Sequence, residues 1–459
     1  MMTVSRRTLL KSLGATGCVA PFVASAPAIA ANISGYKALV CVFLYGGLDG
    51  HDVLLPYDAG SYSAFARVRQ TLLNQQPNRR RDALEPLSLV NQDQFGARRF
   101  ALAPEMPNIA NLINRGEASL VSNVGPLIEP TTRADFDAKS VQLPPRLFSH
   151  NDQQSVWQSG GAEGASFGWG GLFADAALAS GANPMRENFT SITLGNGLFL
   201  SGELANPFRI SDEGAVSISL LDYFAENEES RDWIYDQLRS QFGGQAYSEP
   251  SLIGRDVARI LESGLSNGEA YTQARANAPA LSTSFPEGAL GRQLKAVAET
   301  IAIRQTLGVS RQVFFVGIGG FDTHDAQAST LPRLLAEIDA SIAAFQASMS
   351  RQGLDRDVTL FTASDFGRTL AVNGDGTDHG WGGHHLIVGG AIRGGHIFGD
   401  VPPAGLGHAQ DSGQGRLIPT LSVEQYAQPL GSWFGLSAPE LDRALPNLQN
   451  FSSVPRLMA

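Results

Sequence analysis

Aspartates and histidines recur in three short, glycine-bearing stretches of this sequence, and these are the residue types that hold metal ions. The densest stretch runs from Asp365 and Arg368 through Asp378 and His379 to His384 and His385. Four of the eight histidines fall between His379 and His396. A second stretch is Gly319-Gly320-Phe321-Asp322-Thr323-His324, where an extended backbone lets Asp322 and His324 point at one cation. The third is Gly46-Gly47-Leu48-Asp49-Gly50, in which Asp49 reads either as a metal ligand or as the aspartate of an Asp-Gly turn. Ser149-His150 stands at an expected helix start, where Ser149 is a nucleophile, an anion contact or a cap. Arg368 suits bidentate contact with an oxyanion, or a structural ion pair.

These residues need rigid elements beneath them. Residues 38–45, 118–124, 313–318 and 358–362 are apolar or β-branched runs of strand length, as expected for strands covered on both faces. Three of them end directly at the stretches above, and ligands in open α/β sheets bind beyond the carboxyl ends of the strands. Helical spacing appears over residues 104–115, 290–307, 332–350 and 423–434. Together they predict an α/β fold with a central, mostly parallel sheet sandwiched by helices. Residues 162–284 carry weaker patterns and are expected to form a helical or irregular insertion beside that sheet.

With 459 residues, 43% hydrophobic and 17% charged, the chain can bury a large core. Its net charge of −10 argues against nucleic acid or an anionic membrane as the main partner. The N-terminus carries Ser5-Arg6-Arg7-Thr8-Leu9-Leu10-Lys11, a modest apolar stretch and A-x-A sites near residues 26–30. Residues 1–30 are therefore expected to be a twin-arginine signal, with residues 31–459 forming a single domain. The apolar run is too short to span a bilayer, so no stable membrane span is expected in the mature form. The twin-arginine translocase would be a partner during export, and the destination periplasmic or extracellular. Removal of the signal would take Cys18 and leave Cys41, with no internal disulfide.

Assembled in order, these motifs resemble the bacterial exported family known as domain of unknown function 1501. The features that carry the resemblance are the twin-arginine leader, G-G-L-D-G at Gly46, S-H-N-D-Q-Q at Ser149 and G-G-F-D-T-H at Gly319. D-F-G-R-T at Asp365, D-H-G at Asp378 and G-R-L-I-P-T at Gly415 complete the set. That family is in turn similar to the alkaline phosphatase and sulfatase superfamily. The resemblance implies an alkaline phosphatase-like fold and one or two divalent ions, zinc, calcium or magnesium. Its ligands would be Asp49, Asp322, His324, Asp365 and His384 or His385, with Ser149 as nucleophile. Two departures stand out. Phe366 follows Asp365 where the superfamily often has histidine, and the Asp322-to-His324 spacing is short. One metal site is thus rebuilt, with His379 as a replacement ligand, or lost.

The resulting expectation is an exported metal-dependent hydrolase of phosphate- or sulfate-type esters, acting on a small-molecule or glycan ester. Ser149 would attack and His150 or His379 would protonate the leaving group. The alternative is a non-catalytic envelope or glycan-binding protein on the same scaffold, which Phe366 favours.

Overall fold

The computed structural model describes residues 35–184, 186–216, 227–249 and 251–459. The signal expected over residues 1–30, with Cys18, lies outside the described residues, as do residues 217–226. In chain order the strands are β1 (Lys37–Leu44), β2 (Leu54–Pro56), β3 (Glu85–Pro86), β4 (Phe100–Leu102), β5 (Ala118–Gly125), β6 (Ser191–Thr193) and β7 (Phe208–Arg209). They continue with β8 (Arg311–Ile318), β9 (Val358–Ser364), β10 (Arg368–Val372), β11 (Thr377–His379), β12 (Gly383–Val388), β13 (Ile397–Phe398) and β14 (Leu421–Ser422).

The main sheet has the order β13-β5-β12-β9-β1-β8-β6-β7, and β14 adds to β5. β1 lies at its centre, parallel to β8 on one side and β9 on the other. β12 runs antiparallel to both of its neighbours, and every other pairing in this sheet is parallel. The parallel register sets Leu44 level with Ile318 and with Ser364, so β1, β8 and β9 end side by side. Their following loops therefore share one edge of the sheet.

Alternation along β1 shows why these runs are apolar throughout. Val40, Val42 and Leu44 face a layer that includes Ile109, Leu294 and Ile338. Leu39, Cys41 and Phe43 face another, with Trp169, Phe173 and Tyr426. Helices Pro107–Asn114, Ala289–Ala302 and Gln327–Arg351 supply the first layer. Trp169–Ala179, Val423–Phe434 and Ala438–Ala444 supply the second. Full burial of each such side chain contributes about 1.5–3 kcal/mol. The mixed, mostly parallel sheet flanked by helices is the α/β architecture expected.

Part of the segment expected as an insertion is integral to the sheet. β6 pairs Ser191–Thr193 with Val313–Phe315 of β8. The rest includes a pair of helices packed on each other, Glu228–Ser248 and Leu252–Ala276, the second of which joins the main core through buried Tyr271. Among the described residues no helix is long and apolar enough to cross a membrane.

Candidate metal centre

The chain leaves β1 through Gly46 and Gly47, at φ +113° and +87°, a backbone region that side chains disfavour. Crowding adds a second requirement. A Cβ on Gly46 would lie 2.4 Å from the Asp322 amide nitrogen, and one on Gly47 would lie 2.3 Å from the Phe366 ring. These two glycines let the loops after β8 and β9 close over the end of β1.

Three imidazoles converge on the Asp322 carboxylate in the space this creates. Oδ1 lies 3.1 Å from His324 Nε2 and 3.2 Å from His379 Nε2, and Oδ2 lies 3.4 Å from His150 Nε2. His324 Nε2 and His379 Nε2 are themselves 2.8 Å apart. The opposite nitrogens face acceptors. His150 Nδ1 donates to Asp365 Oδ2 at 2.6 Å, His379 Nδ1 donates to the Phe148 carbonyl at 2.7 Å, and His324 Nδ1 lies 3.5 Å from Asp378 Oδ1. Metal-binding histidines are oriented in this way, through the ring nitrogen that does not touch the ion. Ligand atoms of His150, Asp322 and His379 all lie within 4.8 Å of one another.

The residues fit an ion on two further grounds. Asp365 is fully buried, yet Oδ1 has no hydrogen-bond partner, while Oδ2 accepts from Gly46 N–H, Gln154 Nε2 and His150 Nδ1. The convergent donors are nitrogen-rich, which suits zinc and neighbouring transition metals better than the oxygen-seeking calcium or magnesium.

Electrostatics follow from these neighbours. The Asp365 hydrogen bond raises the His150 pKa above its ordinary value against the opposing effect of burial. Burial pushes the Asp322 carboxyl up, but the hydrogen bond and charge of Arg368 outweigh it and hold it low. Burial lowers the His379 pKa. Phe366, also buried, sits against His150 and His379 at ring-centroid distances of 4.8 and 4.6 Å.

Several residues singled out in the sequence lie elsewhere. Asp49 is not in this cluster, because Arg69 takes its carboxylate bidentately and Gln327 Nε2 donates to it at 2.6 Å. His384 is buried on β12, where its Nδ1 accepts from the Asn123 N–H at 3.1 Å. His385 is buried between Trp157 and Tyr426. Alternation along β12 sends these two rings to opposite faces of the sheet, so they cannot share an ion. Arg368 is fully buried, with Nη1 2.6 Å from Asp322 Oδ1 and 3.1 Å from the Gly46 carbonyl. It holds a site carboxylate, which leaves its guanidinium largely committed. Ser149 precedes the helix His150–Ser159 without capping it, and its hydroxyl donates to Asp152 Oδ2 at 2.8 Å.

Gln154 was missed as a site residue, although its signal was present. His150 and Gln154 are four residues apart on one helix, so both reach Asp365 from the same face. The contribution of the Phe148 carbonyl had no signal in residue type.

The fold and this cluster define an α/β protein with a histidine–aspartate site at the carboxyl edge of its sheet. The chain belongs to the family described as "Protein of unknown function (DUF1501)", which matches residues 36–442. No curated protein matches it. Among solved structures it is similar to the PsFucS1 sulfatase from Pseudoalteromonas sp., with 9% identity over 88% of this chain and 68% of that one, at a TM-score of 0.34. It is also similar to Ps i-CgsB, solved in complex with k-i-k-neocarrahexaose, with 9% identity over 91% of this chain and 77% of that one, at a TM-score of 0.37.

Proposed function

We propose that this protein is a metal-dependent hydrolase of phosphate- or sulfate-type esters, working after export. The observation that carries the reading is the convergence of three imidazole Nε2 atoms on the Asp322 carboxylate, with acceptors facing the opposite nitrogens. His150, Asp322 and His379 would hold the ion, of zinc type, a histidine and carboxylate ligand set of the kind catalytic zinc sites use. A bound divalent ion supplies charge stabilisation to the ester oxygens as negative charge builds on them.

The chain's own residues divide the remaining work. Asp365 fixes the His150 ring, and Gln154 and the Gly46 N–H fix Asp365. Arg368 holds Asp322 in place from beneath. Ser149 Oγ attacks the phosphorus or sulfur and its proton passes to Asp152, which already accepts it in a hydrogen bond. His324, the most exposed of the three imidazoles, gives a proton to the leaving oxygen. Water then cleaves the serine ester by the reverse transfers. The Ser5-Arg6-Arg7 leader supports export through the twin-arginine translocase.

The test is metal content by elemental mass spectrometry, with hydrolysis of p-nitrophenyl phosphate and sulfate before and after chelation. Bound metal with chelator-sensitive hydrolysis is the expected result. Metal-free protein after reconstitution with zinc, manganese and calcium would overturn the reading.

A further inference from the structure

Beside the cluster, one arginine is positioned by carbonyls and an aromatic ring while no carboxylate neutralises it. Arg416 Nε donates to the carbonyl of His379 at 2.8 Å, and Nη1 makes a long contact of 3.4 Å with the Gly413 carbonyl. Its guanidinium lies over the Phe148 ring, 5.4 Å from the centroid. Nη2 has no hydrogen-bond partner among the described residues, and no carboxylate there comes within ion-pair distance of Arg416.

The surroundings hold this cation in place. Phe148 accepts from the His379 ring, His379 accepts from Arg416 Nε, and Arg416 covers Phe148, so the three residues close a circuit. Phe148 adopts φ +74° to do so, a left-handed conformation that costs an aromatic residue energy. On the other side, Gly413, Gln414 and Gly415 all have positive φ. Buried Asp411 fastens that turn, accepting from the Gly413 and Gly415 N–H groups at 2.7 Å each. The nearest carboxylate in sequence is therefore turned toward backbone amides.

We propose that Arg416 binds the anionic group of the substrate, the phosphate or sulfate end of the ester, through its free Nη edge. This rests on the hydrolase reading and gives it a specificity residue. Guanidinium suits a tetrahedral oxyanion because parallel N–H groups can meet two oxygens. Stacking on Phe148 holds the plane without consuming those donors. A neutral ester would leave the charge unanswered and bind poorly.

The experiment titrates inorganic phosphate and inorganic sulfate separately into metal-treated wild type, Arg416→Gln and Arg416→Lys by calorimetry, with metal content measured on the same samples. The expected result is binding weakened about tenfold to a hundredfold in Arg416→Gln at unchanged metal content. Arg416→Lys recovers part of it, since the charge returns without the fork. Equal anion binding by wild type and Arg416→Gln would overturn the assignment. So would wild type that binds neither anion, or anion binding lost only in step with metal. Wild type without metal would sink the hydrolase reading, while the anion titration would still decide the role of Arg416.

Discussion

Arg69 closes on Asp49 with both terminal nitrogens, Nη1 2.5 Å from Oδ2 and Nη2 3.0 Å from Oδ1, and both side chains are buried. Two aspartates that follow buried strands in similar Gly-Gly turns thus have different employment. Asp49 pins the Ala59–Val68 region to the sheet, and Asp322 faces three imidazoles. Asp49→Ala leaves a buried guanidinium unpaired and should cost about 3–5 kcal/mol in chemical denaturation. The protein that still folds should keep its metal. Asp322→Asn should do the reverse, with metal lost and a smaller stability change, because Asp322 is partly exposed and Arg368 retains the Gly46 carbonyl.

Phe366 is a buried wall against two site imidazoles. Phe366→Ala should cost about 3–5 kcal/mol through the cavity it leaves. It should also weaken metal affinity, because His150 and His379 gain room to turn. A competition titration with a chromophoric chelator measures this. Wild-type affinity in a folded Phe366→Ala protein would refute the packing role.

Acid sensitivity follows from histidines outside the site. Burial holds the His384 and His385 pKa values to about 3 and that of His51 to about 4. In the unfolded chain each titrates near 6.5. The folded values are depressed, so unfolding takes up protons below about pH 6.5. The associated stability is present above that pH and is lost as pH falls toward 3. Each such proton corresponds to about 1.4 kcal/mol per pH unit. The metal-free protein should show this slope in denaturation series between pH 4 and 6, and His385→Phe should reduce it by one proton.

Ser149→Ala separates chemistry from ion binding. Ester hydrolysis should fall by orders of magnitude with metal content intact. Asp152→Asn should lower the rate and shift its pH dependence, since the proton acceptor at 2.8 Å is lost. Full turnover in Ser149→Ala would move the attack to water.

The sheet was legible because its strands are apolar on both faces. Residues 423–434 read as a helix and are one, with Ser422 and Gln425 forming its capping box. The location of the cluster was legible where strand ends align, as at Asp322, whereas Asp365, expected as a ligand, accepts from His150 Nδ1 and orients that ring. Asp49 was misleading because its partner Arg69 is twenty residues on, and no local pattern marks a buried ion pair between a turn and a helix end. His384 and His385 were misleading for another reason. An antiparallel strand such as β12 passes the site edge and carries its side chains into the two core layers, whereas a histidine-rich run reads the same wherever it points. A short strand is readable near residues 190–200, but three residues, Ser191–Thr193, carry no sign that it joins the main sheet beside β8.

The four residues around the candidate ion come from positions 150, 322, 324 and 379, and their shared space exists only where β1, β8 and β9 end together. A nascent chain lacking β9 and β11 would possess Asp322 and His324 without His379 or the buried Asp365. Ion capture would therefore be an end-point of long-range strand pairing rather than a nucleus for it. Bound metal would report that β1, β8 and β9 have come together.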